Sequence, residues 1–262
     1  MKIAACLVTY FSPQHEVLAA VESFFAAKLP VALVVVDNSS DIEYFSKLQQ
    51  ALPQQAKIVQ SGGNLGFGRA NNIGFRHLAS LRAEYLLVLN PDVEISPGCL
   101  ESLAVFLDTH PEVGAVSPRV LNADGSLQPL NKRLPTIFDL FARRFLPKSI
   151  QEMPFIRRKM ERYMMLDVGY EDICQLQFMT GCFMLVRRDI FEKLGGFDEK
   201  FFMYLEDADL TRRINQISTA MYYPHVHITH LWKRGSYNSK RLFLVMLHSI
   251  WIYFNKWGWK FW

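Results

Sequence analysis

The stretch YLLVLNPDVEI, residues 85–95, decides the fold of this chain. Its first part, LLVL at residues 86–89, is a continuous apolar run without polar alternation. Such a run is typical of a strand that is buried on both faces in a parallel sheet flanked by helices. Pro91 lacks a backbone N–H and cannot continue a central strand, so we expect the strand to end at or just before it.

Asp92 is therefore expected near the carboxyl end of a central strand, where open α/β sheets bind their ligands. A carboxylate with an amide neighbour, Asn90, and little basic charge nearby suits a hard divalent cation that also binds phosphate oxygens. The alternative is that the two side chains only form a turn of the Asx type.

Two earlier apolar runs predict parallel neighbours of this strand. Residues 3–10 and 31–36 have the composition of buried strands, and residues 13–27 between them have helical spacing. A strand–helix–strand unit closes right-handed, so Asp37 should lie at the same edge of the sheet as Asp92. We expect Asp37 to accept a hydrogen bond from a nucleotide base or ribose. A turn or helix N-cap is the alternative, a role that Ser39 or Ser40 could also take.

A glycine-rich loop, SGGNLGFGRANN at residues 61–72, opens a helix predicted over 68–81. It lacks the ending of a P-loop and does not match the dinucleotide fingerprint in its usual place. Its glycines still allow close backbone approach, and a helix N-terminus attracts negative charge. Asn64 and Arg69 can therefore reach a base or a diphosphate, and a plain glycine-rich turn is the alternative.

Three carboxylates, Glu206, Asp207 and Asp209, stand within four residues at the start of a later helix. On a helix Glu206 and Asp209 share a face, whereas Asp207 points elsewhere, so one of the two directions can face the site. Acidic residues also favour a first helical turn through the helix dipole, and that is the structural alternative.

Two further stretches predict strands. Residues 113–116 form a short one, and LQFMTGCFMLVR at 176–187 forms another that is split by Gly181. Near the end of the chain His225 and His227 share one face of a strand, and His230 lies on the other. One of these histidines could bind a metal ion or phosphate, and a structural role is the alternative for each.

Residues 129–171 interleave basic and apolar residues. The basic residues are Lys132, Arg133, Arg143, Arg144, Lys148, Arg157, Arg158, Lys159 and Arg162. We interpret the segment as basic amphipathic pieces over the substrate site, which contact an anionic membrane surface or a diphosphate in the acceptor. A solvated, partly mobile insertion is the alternative. The aromatic stretch at 242–262 suits an interfacial helix, and a helix docked on the core is its alternative.

The chain has 262 residues and a formal charge of +4, which is too small to indicate a nucleic-acid partner. Its length allows one large α/β domain or two small ones. The four cysteines lack zinc-type spacing and are typical of reduced thiols in a cytosolic protein. We expect no signal peptide and no transmembrane helix, because no apolar stretch of about twenty residues occurs.

As a set, these motifs resemble the GT-A glycosyltransferases of family 2, and most closely their rhamnosyltransferase-like branch. The matching stretches are LVTYF, VVVDNSS, GGNLGFGRANN, LLVLNPDVEI, FMTGCFMLVRRDIFEKLGGFDEKFFMYLEDADLTRRI and the region of His230. They run in the family's order to about Ser236, whereas residues 129–171 carry no matching motif. The resemblance implies a GT-A (Rossmann-like) α/β fold, with a mainly parallel sheet flanked by helices. One catalytic domain covers residues 1–236 and includes the basic insertion, and residues 237–262 form a helical tail.

The resemblance also implies the roles of single residues. The nucleotide-binding residues are Thr9, Tyr10, Asp37, Asn64, Arg69 and Asn90. Asp92 matches the last aspartate of the metal-binding D-x-D motif, and His230 matches a late histidine that approaches the metal or diphosphate. The pair Glu206-Asp207 matches the acidic pair that holds the catalytic base, with Asp207 as the base and Glu206 second. Asn90 replaces the first aspartate of D-x-D, and an amide is a weaker cation ligand than a carboxylate. We therefore expect the activity to depend only weakly on a metal ion.

The implied activity is inverting transfer of a sugar, assisted by Mg²⁺ or Mn²⁺, in surface polysaccharide (O-antigen) biosynthesis. The implied donor is dTDP-L-rhamnose or another dTDP or UDP sugar, and the acceptor is a saccharide linked to polyprenyl diphosphate. The expected location is the cytoplasm, peripheral on the inner face of the membrane. A nucleotidyltransferase and a non-catalytic nucleotide-sugar-binding scaffold are the alternatives.

Overall fold

The computed structural model describes residues 1–231 and 240–262, apart from the side chains of residues 143–145. Within these residues nine strands form one sheet with helices around it. The strands are β1 (Ile3–Thr9), β2 (Val31–Asp37), β3 (Ala56–Gln60), β4 (Tyr85–Leu89), β5 (Val93–Ile95), β6 (Val113–Leu121), β7 (Cys174–Gln175), β8 (Phe183–Arg187) and β9 (Thr219–His230). The helices are α1 (Gln14–Phe25), α2 (Ile42–Ala51), α3 (Phe67–Leu78), α4 (Cys99–Thr109), α5 (Ile137–Phe145), α6 (Lys148–Gln151), α7 (Pro154–Tyr163), α8 (Arg188–Lys193), α9 (Glu206–Ile214) and α10 (Lys240–Trp257).

The first half of the sheet is parallel, as the apolar runs predicted. β1 lies between β2 and β4, and β3 extends the sheet beyond β2. In this register Leu7 pairs with Leu89, and Thr9 pairs with Asp37. Every residue of β4 is buried, and the strand ends one residue before Asn90. The residues that follow β1, β2 and β4 therefore meet at one edge of the sheet.

The second half of the sheet differs from the expectation, because several of its strands run antiparallel. β8 is antiparallel to both β4 and β6, and β9 is parallel to β6 but antiparallel to β5 and β7. A continuous apolar run indicates burial on both faces but carries no information on strand direction. β5, which the sequence did not predict, pairs Val93 with His230. This pairing brings the end of β9 next to Asp92.

Two predicted strand boundaries were wrong. The strand expected over 176–187 begins only at Phe183, since the backbone before it bonds to other elements. The N–H of Phe178 donates to the carbonyl of Lys132, and the N–H of Met179 donates to the Thr211 hydroxyl. The short strand expected over 113–116 continues to residue 121, because a register shift after Pro118 accommodates the missing donor.

Helices cover both faces of the sheet with apolar layers. One layer packs α1 and α4 against the strands, and the other packs α3, α8 and α9. α3 packs very close to β1 at Gly74. A Cβ added to this glycine would lie only 2.2 Å from the Sγ atom of Cys6. This close approach fixes the glycine-rich start of α3 at the sheet edge.

The C-terminal helix α10 docks on the core. This is the alternative that the sequence analysis gave for the aromatic stretch at 242–262. Its residues Ile250, Tyr253 and Phe254 are buried in an apolar cluster with Phe201 and Leu205. Trp251 of α10 is exposed, as are the aromatic residues Trp259, Phe261 and Trp262 that follow the helix. The domain boundary expected at 236/237 lies outside the described residues.

Charged groups hold α10 against α9. Asp209 is fully buried and lies 2.8 Å from both the Nζ atom of Lys256 and the Nε1 atom of Trp257. Its other oxygen binds Arg213 at 2.8 Å. The third acidic residue of the predicted cluster is therefore structural. Among the described helices, none combines the length and apolar character that spanning a membrane requires.

Candidate active site

A cleft of about 520 Å³ opens between the end of β4, the start of α9 and the segment 129–171. It joins five of the residues that the sequence analysis singled out. They are Asn90, Asp92, Glu206, Asp207 and His230. Asn90 and Asp92 follow β4, the acidic pair opens α9, and His230 ends β9.

Asp92 and His230 form a close pair in this cleft. The Nε2 atom of His230 lies 3.4 Å from the Oδ1 atom of Asp92. The histidine is only 6% exposed, and among the described residues its Nε2 atom has no hydrogen-bond partner. A buried nitrogen without a partner, facing a carboxylate, is a group that a ligand would satisfy.

Gln128 sets the tautomer of His230. The Gln128 side-chain N–H groups donate to the Oδ1 atom of Asn122 at 2.7 Å and to the His230 carbonyl at 3.3 Å. The Gln128 oxygen therefore faces the Nδ1 atom of His230, 2.7 Å away, and accepts its proton. In the neutral imidazole this leaves the Nε2 lone pair toward Asp92, which is the form that would bind a metal ion.

These residues fit a divalent cation. A carboxylate oxygen and an imidazole nitrogen face each other; His230 is buried, whereas Asp92 is partly open to the cleft. No third His, Cys, Asp or Glu joins them within residues 1–231 and 240–262. Two protein ligands are sufficient for a Mg²⁺-type ion that also binds substrate phosphates and water.

The acidic pair at the start of α9 lines the same cleft, where Glu206 is buried and Asp207 is half-buried. Glu206 is 5% exposed, and its Oε2 atom has no hydrogen-bond partner among the described residues. Burial raises the pKa of Glu206 well above its ordinary value, and the neighbouring Asp207 raises it further. Glu206 is therefore a carboxyl group that resists ionisation.

Asp207 is less perturbed because it has donors of its own. Its two oxygens accept the backbone N–H groups of Gly181 at 3.0 Å and Ala208 at 2.9 Å. Burial raises the pKa of Asp207, and the nearby Lys132 and these backbone donors oppose the rise. These opposing effects leave the pKa of Asp207 less perturbed than that of Glu206, which suits Asp207 better to the role of a general base.

An unusual backbone turn brings the acidic pair into the cleft. Tyr204 and Leu205, directly before α9, have left-handed φ angles of 72° and 65°. Such conformations cost about 1–3 kcal/mol for residues other than glycine and are concentrated at functional sites. The turn also contacts the glycine-rich loop, since the N–H of Phe67 donates to the Phe202 carbonyl at 2.9 Å. Gly66 is required there, because an added Cβ would lie 2.0 Å from that oxygen.

The other predicted nucleotide-binding residues do not line this cleft but lie beside it, at or just after the ends of β1, β2 and β3. The Thr9 hydroxyl is buried and hydrogen-bonded to the Tyr44 hydroxyl, and Tyr10 is exposed. Asn64 accepts hydrogen bonds from the Asn38 amide and from the N–H of Gly66. The residues thus form a second group of polar side chains at the same sheet edge.

Asp37 and Arg69, two further members of this group, also have protein partners. Asp37 is buried and accepts hydrogen bonds from the N–H and hydroxyl of Ser39 at 2.9 and 2.6 Å. It forms the turn that was its alternative role, but the N-cap of α2 is Asp41 and neither Asp37 nor a serine. The Nε atom of Arg69 lies 3.3 Å from a carboxylate oxygen of Glu199.

The sequence analysis placed Lys132 in a basic segment over the substrate site, but it did not name Asp139, Tyr163 or Gln128. Lys132 lines the cleft with its Nζ atom 4.6 Å from the centre of the Phe178 ring, and Asp139 and Tyr163 form another part of the wall. All three belong to the basic segment 129–171, whose lysines and arginines were the available signal. No pattern in the sequence marked Gln128 as a functional residue, because its role depends on its contact with the distant His230. The side chains of Arg143 and Arg144 lie outside the described residues.

We expect Glu206→Gln to be more stable than the wild type above pH 5, and we expect the difference to vanish at low pH. A carboxyl group whose pKa is raised on folding contributes stability that is complete below its ordinary pKa of 4.5 and is lost as the pH rises through the folded-state pKa. Glutamine does not ionise and avoids this loss, which is on the order of 1–3 kcal/mol for a buried group without a partner. Urea unfolding at pH 4, 6 and 8 measures the difference, and a pH-independent difference would contradict the burial argument.

Comparison with known proteins identifies relatives of the chain. Residues 5–195 match the family model described as Glycosyl transferase family 2. The chain is 27% identical over 236 residues to the N-acetylglucosaminyl-diphospho-decaprenol L-rhamnosyltransferase of Mycobacterium tuberculosis, which is 85% of this chain and 74% of that protein. It is 28% identical over 176 residues to the rhamnosyltransferase WbbL of Escherichia coli K12, which is 65% of this chain and 62% of that protein.

Among solved structures, the fold is similar to GalNAc-T7 with UDP, GalNAc and Mn²⁺. The TM-score is 0.65 at 12% sequence identity, and the match covers 89% of this chain and 44% of the other. At this identity the likeness is one of fold alone. It confirms the expected GT-A type of α/β architecture.

Proposed function

The chain belongs to glycosyltransferase family 2 and is a glycosyltransferase, and from this premise we propose that it moves L-rhamnose from dTDP-L-rhamnose to a saccharide linked to polyprenyl diphosphate. Membership of this family removes the two alternatives raised by the sequence, a nucleotidyltransferase and a non-catalytic scaffold. The proposed reaction inverts the configuration of the transferred sugar and serves surface polysaccharide synthesis.

One observation carries the proposal: Asp207 lines the same cleft as Asp92 and His230. Asp207 accepts the proton of the acceptor hydroxyl as this oxygen forms a bond to the anomeric carbon. The bond from that carbon to the diphosphate breaks, and its electron pair leaves with the diphosphate oxygen. Glu206 is the second candidate for the base, and its raised pKa favours a protonated, hydrogen-bond-donating role beside Asp207.

Asp92 and His230 are the residues that would bind Mg²⁺ or Mn²⁺. When bound, such an ion neutralises the negative charge that develops on a leaving diphosphate. The chain adds positive charge of its own, since Lys132 lines the cleft. In the glycine-rich loop, Gly62 and Gly63 would contribute backbone N–H donors for the donor's phosphates.

The group of polar residues at the ends of β1, β2 and β3 binds the nucleoside in this proposal. Thr9, Tyr10 and Asp37 lie beside Asn90 because β1 is the neighbour of both β2 and β4. Asn64 and Arg69 follow β3 at the start of α3 and border the nucleoside and diphosphate. Ligands of open α/β sheets bind in this crevice at the carboxyl ends of the strands.

The donor and acceptor rest on the relatives' names. The M. tuberculosis protein is named for L-rhamnosyl transfer and for a diphospho-decaprenol-linked N-acetylglucosamine. The exposed aromatic residues of α10 and of the residues after it suit a membrane interface, where such an acceptor resides. We therefore place the enzyme peripherally on the inner face of the membrane.

A direct transfer assay tests this function. The wild-type protein is mixed with Mn²⁺, dTDP-L-rhamnose and farnesyl-diphospho-N-acetylglucosamine, and the lipid product is weighed by mass spectrometry. We expect a product one deoxyhexose heavier, with the anomeric configuration opposite to that of the donor. UDP-glucose and GDP-mannose are the matched donors. Transfer from either of them but not from dTDP-L-rhamnose would overturn the donor assignment.

A further inference from the structure

A second cavity of about 1110 Å³ adjoins the active-site cleft. It lies between α5, α7 and the last residues of the chain, and we call it the basic groove. Asp139 and Tyr163 line both the basic groove and the cleft, so the two cavities adjoin at these residues. A ligand that enters the cleft with its reactive end can therefore extend into the groove.

The groove is cationic, and its carboxylates are already engaged within the protein. Its basic residues are Arg133, Arg158, Lys159, Arg162 and Lys260. Asp167 binds Arg133 at 2.7 Å, and Glu161 binds Arg157 at 2.8 Å. The third carboxylate, Asp139, accepts both the N–H and the hydroxyl of Thr136 with its Oδ2 atom.

Most of the groove's cations have no such partner. Across residues 1–231 and 240–262, no carboxylate lies within 4.0 Å of the charged atoms of Arg158, Arg162 or Lys260. Arg158 and Arg162 are four residues apart on α7 and exposed, so they share one accessible face. Two guanidinium groups on one face can bind adjacent phosphates in the bidentate manner that arginine favours.

The outer end of the groove is aromatic. The rings of Phe155 and Trp262 stack with their centres 5.3 Å apart, yet these residues are 66% and 55% exposed. The Nζ atom of Lys159 lies 4.0 Å from the centre of the Trp262 ring. A cation directly beside an exposed aromatic surface suits a ligand whose phosphate continues into an apolar chain.

The end of the groove next to the active site has a polar acceptor. Asp139 is buried, and its Oδ1 atom has no hydrogen-bond partner in the described part of the chain. A carboxylate oxygen at this junction suits a hydroxyl donor such as a sugar. The groove thus offers, in order outward from the acid pair, a hydroxyl acceptor, a cluster of cations and an aromatic surface.

We infer that the basic groove binds the diphosphate of a polyprenyl-diphosphate-linked acceptor, with its sugar toward Asp207 and its first isoprene units on Phe155 and Trp262. The inference rests on the proposed function and adds the binding site of the acceptor to it. It explains why a segment without family motifs supplies a wall of the active site. Phospholipid headgroups of a membrane surface are the competing occupant, and the experiment below separates the two.

The test compares two double variants that lose the same charge. Arg158→Gln/Arg162→Gln removes the two guanidinium groups of the groove. Arg82→Gln/Lys148→Gln removes two exposed cations that do not line it. Binding of farnesyl-diphospho-N-acetylglucosamine and of dTDP is measured by calorimetry. Binding to phosphatidylglycerol vesicles is measured by sedimentation.

We expect the groove variant to bind the farnesyl diphosphate compound at least about tenfold more weakly for each guanidinium group lost. Its dTDP affinity should equal that of the wild type, which shows that the fold is intact. Its vesicle binding should equal that of the control variant. The control variant should bind the farnesyl diphosphate compound as the wild type does.

Three results would overturn the inference. The first is an unchanged affinity of the groove variant for the farnesyl diphosphate compound, and the second is that the wild type does not bind this compound. The third is that the groove variant loses only vesicle binding, which would assign the groove to membrane headgroups. Failure of the proposed function can be distinguished from failure of this inference, because the function is measured by sugar transfer and the inference by ligand binding. If the wild type binds the compound through Arg158 and Arg162 but transfers no rhamnose, the groove assignment stands and the proposed reaction is wrong.

Discussion

Asp207→Asn is expected to lower kcat for sugar transfer by about 10²–10⁴-fold, the range that a general base contributes. The amide keeps the size of the carboxylate and can still accept the N–H of Gly181, which donates to it at 3.0 Å in the wild type. It cannot take a proton from the acceptor hydroxyl. Because the change is local, dTDP binding should stay near the wild-type value. Single-turnover transfer and calorimetry measure the two quantities.

Glu206→Gln is the matched variant for this experiment. Both replacements remove one carboxylate from the same turn of α9. The two oxygens of Asp207 accept the N–H groups of Gly181 and Ala208, whereas burial raises the pKa of Glu206 well above its ordinary value. We expect Glu206→Gln to retain much more turnover than Asp207→Asn. If Asp207→Asn turns over and Glu206→Gln does not, the two residues have exchanged roles and Glu206 is the base.

The pH profile gives a second readout of the base. Burial raises the pKa of Asp207, so the acidic limb of kcat/KM should lie at a higher pH than an exposed aspartate would give. The limb should persist in Glu206→Gln, where one ionisable group of the pair is left. A profile without an acidic limb in the wild type would argue against a carboxylate base.

Asp92→Ala is expected to remove the dependence of nucleotide binding on a divalent cation. Asp92 and His230 are the two side chains that fit the ion, and the loss of one leaves only the imidazole nitrogen. Losing even a second-shell partner costs metal affinity about 10–100-fold, so a direct ligand should cost at least that. Calorimetric titration of dTDP, UDP and GDP, each with and without Mn²⁺, measures the effect.

Glu94→Ala is the matched control, because Glu94 is an exposed carboxylate on β5, two residues from Asp92. It should bind nucleotide in the presence of Mn²⁺ as the wild type does. Metal-dependent binding that persists in Asp92→Ala would contradict the assignment of this residue. If the wild type binds none of the three nucleotides under any condition, the assignment of the catalytic site as a whole is wrong.

The parallel half of the sheet and the position of its functional edge could be predicted from the amino-acid sequence. The apolar runs of β1, β2 and β4 report burial through local composition, and right-handed crossover then requires Asp37 and Asp92 to lie at the same edge. The acidic pair and His230 stood out as chemical groups in the sequence. Local pattern was sufficient for these inferences because strand ends and helix starts are marked by neighbouring residues.

Which of these side chains lie next to each other depends on the tertiary structure. The antiparallel direction of β8 and the pairing of β5 with β9 bring His230 within reach of Asp92, and an apolar run does not encode direction. The role of Gln128 also depends on a distant contact, because its side-chain oxygen accepts a hydrogen bond from His230, 102 positions away along the chain. Asp209 likewise looked like part of the acidic site, but its partners Lys256 and Trp257 belong to a distant helix. Contacts between residues far apart in the chain depend on how complete elements pack, and no local pattern carries that information.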